Sequence, residues 1–88
     1  MIEPLRPPPD PEASLRDAGI DPRPWSAGPG THFARHSHGQ TKRLFVRRGS
    51  ISFNGDWLRA PAGIRIPAGL EHDADVGDDG VECVEGFE

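Results

Sequence analysis

No stretch of this 88-residue chain narrows its fold more than Ile51-Ser52-Phe53-Asn54-Gly55-Asp56-Trp57-Leu58. Asn-Gly between two apolar-containing runs is a strong signal for a two-residue hairpin, because both central positions of that turn need positive φ. The rest of the chain after Asp21-Pro22 continues in the same manner, with short runs divided by Gly, Pro and Asn. The pattern predicts strands over Trp25–Ala27, Thr31–His38, Arg43–Arg48, Ser50–Asn54, Asp56–Arg59, Ile64–Ile66, His72–Val76 and Val81–Phe87. Pro61 and Pro67 cannot donate to a ladder and belong at strand ends or edges. No helical period occurs after residue 20. The expected class is all-β, a small antiparallel barrel or sandwich.

The first 24 residues differ. Met1–Asp10 carries four of the ten prolines and few apolar anchors, which predicts an extended, poorly ordered arm. Asp10-Pro11-Glu12 then has the marks of a helix start: a capping acceptor, Pro at the first helical position and an acid in the first turn. Gly19 suits the position just past the helix end, with Ile20 folding back on Leu15. A helix over Pro11–Ala18 is therefore expected, and one so short must dock to persist. The division is residues 1–24, a Pro-rich arm with a short helix, and residues 25–88, the β domain.

Eighty-eight residues allow one small core, so a bound metal or a dimer interface is expected to support the fold. A net charge of −4 argues against nucleic acid or an anionic membrane as partner. Cys83 is the only cysteine, which leaves no internal disulfide and no cysteine-based zinc site. There is no apolar run of membrane-spanning length and no signal-peptide pattern, so a cytoplasmic protein is the expectation. Charge is segregated. Arg35–Arg48 holds five basic residues and no acid, and Glu71–Glu88 holds eight acids and no Lys or Arg. Such segments can lie side by side in an antiparallel sheet, meet across a dimer, or form two solvated faces.

Function is carried by the histidines. Side chains two apart on a strand share a face, so His36 and His38 are expected side by side. His72 follows the turn Pro67-Ala68-Gly69 and opens another short segment that can bring in a third imidazole. Three neutral imidazoles suit a divalent transition metal.

With those residues in place, the spacing resembles that of the cupins. Gly30, five residues, His36-Ser37-His38, and then Gly49 fall in register with the first cupin motif, and Pro67-x-Gly69-x-x-His72 matches the second. The likeness covers residues 25–88. It implies a jelly-roll β-barrel of the small single-domain (monocupin) type, homodimeric, with the motif histidines at its centre. Two positions depart from the motifs. Lys42 (or Arg43, at the longer spacing) stands where cupins carry a metal-binding Glu, and Val76 stands where many have Asn. Neither Lys nor Arg is a metal ligand at neutral pH, and a cation aimed at the metal weakens the site.

Three readings follow. In the leading one His36, His38 and His72 form a three-His centre like those of cupin thiol and gentisate-type dioxygenases. That centre holds one divalent Fe, Mn, Ni, Cu or Zn and acts on a small organic molecule whose anionic part Lys42 holds, with Gln40, or His32 four residues before His36 on the same strand face, as a fourth ligand or a support to the ligands. In the second, the pocket is metal-free and non-catalytic and binds a small anion or sugar, with Lys42 as the anchor for an anionic ligand. In the third, the histidines only line a structural or dimerisation module. Trp25, Phe33, Phe45, Phe53 and Trp57 are expected in the core or a subunit contact. Leu44 and Val46 share the parity of Lys42, and Phe45 faces the other way, with Trp57 as its companion in a dimer face. Cys83 is expected as a small buried residue.

Overall fold

The computed structural model describes all residues, Met1–Glu88. The elements are β1 (Glu3–Leu5), α1 (Pro11–Asp17), β2 (Arg23–Ala27), β3 (His32–His36), β4 (Lys42–Phe53), β5 (Asp56–Arg59), β6 (Ala62–Ile66) and β7 (His72–Phe87). All strands join one antiparallel sheet in the order β1-β6-β4-β7-β2, with β3 also on β7 and β5 also on β4. No helix is long and apolar enough to cross a membrane.

β4 and β7 are the frame. Each runs where two shorter strands were expected, and they pair from Lys42↔Phe87 to Phe53↔Ala74. The ladder shifts register between Val46 and Arg48 and between Gly49 and Ile51. An extra residue on one strand bends it and adds twist, so the chain turns a corner without ending the strand. Gly49 sits at that corner with φ 75°, where a Cβ would run into the carbonyl of Gly80. This is a sufficient physical reason for glycine at the end of the first motif. At the far end of β4, Asn54 and Gly55 have φ 51° and 85°, and Phe53 pairs with Asp56, as the two-residue hairpin requires.

The curled sheet encloses a core made by one face of each strand, with the inward parity switching across the bulges, and including Leu44, Val46, Ile51, Ile64, Ile66, Val76, Val81 and Cys83. Phe45 and Val84 have the opposite parity and bury with Leu15 and Ile20 under α1. Asp10 caps the helix by accepting from the Ala13 N–H (3.1 Å). At the other end the N–H groups of Gly19 and Ile20 donate to the carbonyls of Arg16 and Leu15. Phe45 does face away from the cavity, as its parity predicts. However, it is only 4% exposed, because the chain's own helix covers it, so it offers nothing to a subunit contact. Trp57 remains 57% exposed.

The N-terminal segment is more ordered than its prolines suggest. Glu3-Pro4-Leu5 pairs with β6, Ile2 packs on the main core, and Leu5 packs on the cluster beneath α1. Pro4 is tolerated because β1 is an edge strand, where a missing N–H can face outward.

The segregated charges meet within the chain. Arg43 and Arg65 both reach Glu88 (2.7 and 2.8 Å), Arg35 reaches Glu71 (3.2 Å), and Arg48 reaches Glu82 (3.4 Å).

Candidate metal centre

His36 ends β3 and His72 begins β7, and the two are direct partners in the β3–β7 ladder. Partners across an antiparallel pair bring their side chains within contact distance, and here the ring centroids are 4.4 Å apart. His38 lies beyond the end of β3, so strand parity does not place it. Its loop is fastened to the turn before His72 instead. The Gly69 N–H donates to the His38 carbonyl (2.8 Å), and the Ala68 N–H donates to Thr41 Oγ1 (3.1 Å). His38 then stands 4.8 Å from His36 and 5.1 Å from His72, centroid to centroid.

The hydrogen bonds assign the tautomers. Nδ1 of His36 lies 2.6 Å from the Ala34 carbonyl, and Nδ1 of His72 lies 3.0 Å from the Leu70 carbonyl. A carbonyl only accepts, so both Nδ1 atoms carry the proton and both Nε2 atoms keep a free lone pair. His38 Nε2 is buried with no hydrogen-bond partner at all. One ligating nitrogen from each ring falls within a cluster 4.8 Å across. Metal–imidazole bonds of about 2.1 Å put ligand nitrogens roughly 3–3.5 Å apart, so small side-chain adjustments complete a site. An orphaned buried nitrogen beside two lone pairs oriented by carbonyls is the donor set of a three-imidazole metal site. Three imidazoles this close can hold a metal ion.

Electrostatics favour the neutral form of two of the rings, His38 and His72. Burial, then the Lys42 ammonium and the neighbouring imidazoles, lower His38 below the ordinary histidine value. Burial also lowers His72, against the opposing pull of the Leu70 carbonyl. Neutral imidazole is the form that ligates.

A cavity of about 230 Å³ opens beside the triad. Phe33, Leu44, Ile51, Phe53 and Ala74 give it apolar walls, and Trp25, Lys42 and Glu85 give it a polar one. Lys42 does point inward, but not as a free cation. Its Nζ lies 3.1 Å from Glu85 Oε2, and the two side chains are 11% and 15% exposed. The other Glu85 oxygen accepts from the indole N–H of Trp25 (2.7 Å). Nothing local in the sequence marks Glu85. The signal available was parity, since Glu85 lies two residues beyond Cys83 on β7, and the expected burial of Cys83 carries over to it. Cys83 itself is 1% exposed, and burial pushes its thiol up to about 12, so it is no nucleophile.

His32 and Gln40 are not at the site. A register shift between Phe33 and His36 breaks the alternation that would have put His32 on the face of His36. Phe33 takes that place in the cavity wall, and exposed His32 pairs with Asp75 (2.7 Å). Gln40 is exposed and reaches only the Glu88 carbonyl, at 3.5 Å.

No family model and no curated protein matches the chain. Solved structures do. An oxalate decarboxylase from Bacillus subtilis superimposes with a TM-score of 0.71 at 17% identity, over 84% of this chain and 23% of that one. An RmlC-like cupin from Shewanella frigidimarina gives 0.67 at 18% identity, over 77% and 64%. The cupin_2 domain of an XRE-family transcriptional regulator from Enterobacter cloacae gives 0.63 at 20% identity, over 100% and 94%. The chain spans less than two thirds of the first two. Likeness at these identities establishes the fold alone, and it is the cupin fold.

Proposed function

From a small cupin fold with three converging imidazoles, we propose a protein that binds one divalent transition metal through His36, His38 and His72 and acts on a small organic molecule in the adjoining cavity. The observation that carries this is the buried, unpartnered Nε2 of His38 beside two Nε2 lone pairs oriented by backbone carbonyls. Three protein ligands leave open positions at a metal, where Lewis-acid or oxygen-dependent chemistry is supplied. Oxygen-dependent turnover of the dioxygenase type is the reaction class we favour. The chain's own part is to favour neutral His38 and His72, to orient the rings of His36 and His72 through backbone carbonyls, and to exclude water with Phe33, Leu44, Ile51 and Phe53.

Lys42, which replaces the motif Glu, is paired with Glu85, and that carboxylate offsets part of its charge at the triad. The same ion pair counts against a metal-free pocket in which Lys42 grips an anion, since any anion must compete with Glu85. We propose that the protein is cytoplasmic and homodimeric, with exposed Trp57 as an apolar side chain available to the interface.

The test is elemental analysis of tag-free protein purified without chelator, beside a His36→Ala/His72→Ala variant. Near-stoichiometric Fe, Mn, Ni, Cu or Zn in the wild type alone is expected, and oxygen consumption then screens substrates. Folded wild type that takes up none of these ions on titration overturns the reading.

A further inference from the structure

We infer that Lys42, Glu85 and the indole N–H of Trp25 form a second subsite in the cavity, built to receive a neutral hydrogen-bonding group, a hydroxyl or a carboxamide, at one end of a small ligand. The inference rests on the metal-centre reading only for where the ligand's other end is held.

The geometry begins with the ladder. Glu85 pairs with Leu44, and Lys42 pairs with Phe87, so Lys42 and Glu85 are diagonal neighbours on the cavity face. On the opposite flank Trp25 pairs with Cys83, which puts its indole diagonal to Glu85 as well. Glu85 is thus held from both neighbouring strands, by an ammonium at 3.1 Å and an indole N–H at 2.7 Å. Lys42 is held a second time, with its Nζ 5.3 Å from the centre of the Phe87 ring. These side chains are fixed, nearly buried and open to one cavity.

Hydrogen-bonding capacity then selects the ligand. An ammonium has three donors, and Glu85 uses one of them. A carboxylate has about four acceptor positions, and Lys42 and Trp25 fill two. Unused donors therefore lie next to unused acceptors, about one hydrogen-bond length apart. A hydroxyl or a carboxamide donates and accepts at once and satisfies both. A carboxylate end meets the negative Glu85 and an ammonium end meets the positive Lys42, and each must break the existing pair to bind. A methyl end leaves both capacities unmet in a dry pocket. The cavity's 230 Å³ limits the ligand to a small one.

The probes are four-carbon acids with the same carboxylate head that differ at the far end: 4-hydroxybutyrate, succinamate, succinate, 4-aminobutyrate and butyrate. Each is titrated into zinc-loaded and metal-free protein while the Trp25 indole N–H resonance is followed. The only other indole, that of exposed Trp57, serves as the internal control. The hydroxyl- and amide-ended probes should shift the Trp25 signal and bind about tenfold more tightly than butyrate, the value of one added hydrogen bond of roughly 1.4 kcal/mol. Succinate and 4-aminobutyrate should do no better than butyrate. In a Lys42→Met/Glu85→Leu variant, which keeps the wall filled without leaving a lone buried charge, that preference should vanish or invert.

Equal affinity for all ends, a Trp25 signal that no probe moves, or an unchanged preference in the double variant overturns the subsite. The zinc arm separates this from the metal reading. Protein that refuses zinc but keeps the end-group preference loses the metal centre and retains the subsite. Protein that takes zinc without the preference does the reverse.

Discussion

Asn54 holds the chain on both sides of His72. Its side-chain amide donates to the Glu71 carbonyl (3.3 Å) and accepts from the Asp73 N–H (3.0 Å), and its own N–H donates to the Asp73 carbonyl (3.1 Å). The hairpin turn that shapes the fold is therefore also a clamp on a candidate metal ligand. Glycine at position 54 keeps the turn's positive φ and the backbone bond but removes both side-chain bonds. Asn54→Gly should stay folded and bind metal about tenfold more weakly, the low end of what removing a support behind a ligand costs. Calorimetric titration with zinc reads this directly, and an unchanged Kd would show that the ladder alone positions His72.

The sequence made the fold class and the triad legible for different reasons. The Asn54-Gly55 turn and the glycine and proline punctuation are local signals, and local signals survive in one dimension. The triad was legible because the motif spacing stands in for geometry. The alternation rule by itself was less secure: it grouped His36 with His38, although His38 lies beyond the strand and is held by Gly69. It also grouped His36 with His32, from which a bulge separates it. Glycines that bend a strand look the same in sequence as glycines that end one, so β4 and β7 each read as two strands. Glu85 and the pairing of β1 with β6 were hidden because they depend on partners far along the chain.

The Lys42–Glu85 pair makes an energetic prediction apart from ligand binding. Either charge left alone among Leu44, Phe53 and Phe87 is a nearly buried, uncompensated ion. Lys42→Met and Glu85→Leu, made singly, should each destabilise the fold by about 3 kcal/mol. The double variant should recover most of that loss, because well-packed apolar groups replace a buried pair at little cost. Urea unfolding of the four proteins gives the coupling. Additive losses would show that the two charges do not depend on each other.

Helix α1 has seven residues and no stability of its own, so its persistence measures its docking. Leu15 is 1% exposed against Phe45, Ile20 and Val84. Leu15→Ala should cost about 3 kcal/mol. Asp10→Ala removes only the cap and should cost about 1 kcal/mol. Hydrogen exchange should show the amides of α1 opening earlier in both variants. If the Leu15 variant leaves the melting temperature unchanged, the helix does not cover Phe45 in solution.

Glu88 sets an acid limit on stability. Its hydrogen bonds to Arg65 and Arg43 hold its carboxyl at about 2, against an ordinary value of 4.5. A carboxyl with a depressed folded value stabilises fully above its unfolded value, and it loses that contribution as pH falls towards the folded one. The window is therefore from about 4.5 down to about 2. The side chain is a quarter exposed, so solvent screening limits the network to about 1 kcal/mol, a few degrees in Tm for a domain of this size. At neutral pH, Glu88→Gln should melt a few degrees below the wild type, and the two curves should converge as pH falls through that window. Subtracting the curves cancels the other carboxylates, which titrate in both proteins. A gap of constant size from neutral pH down to about 2 would show that the charge on Glu88 does not fasten β4 and β6 through Arg43 and Arg65.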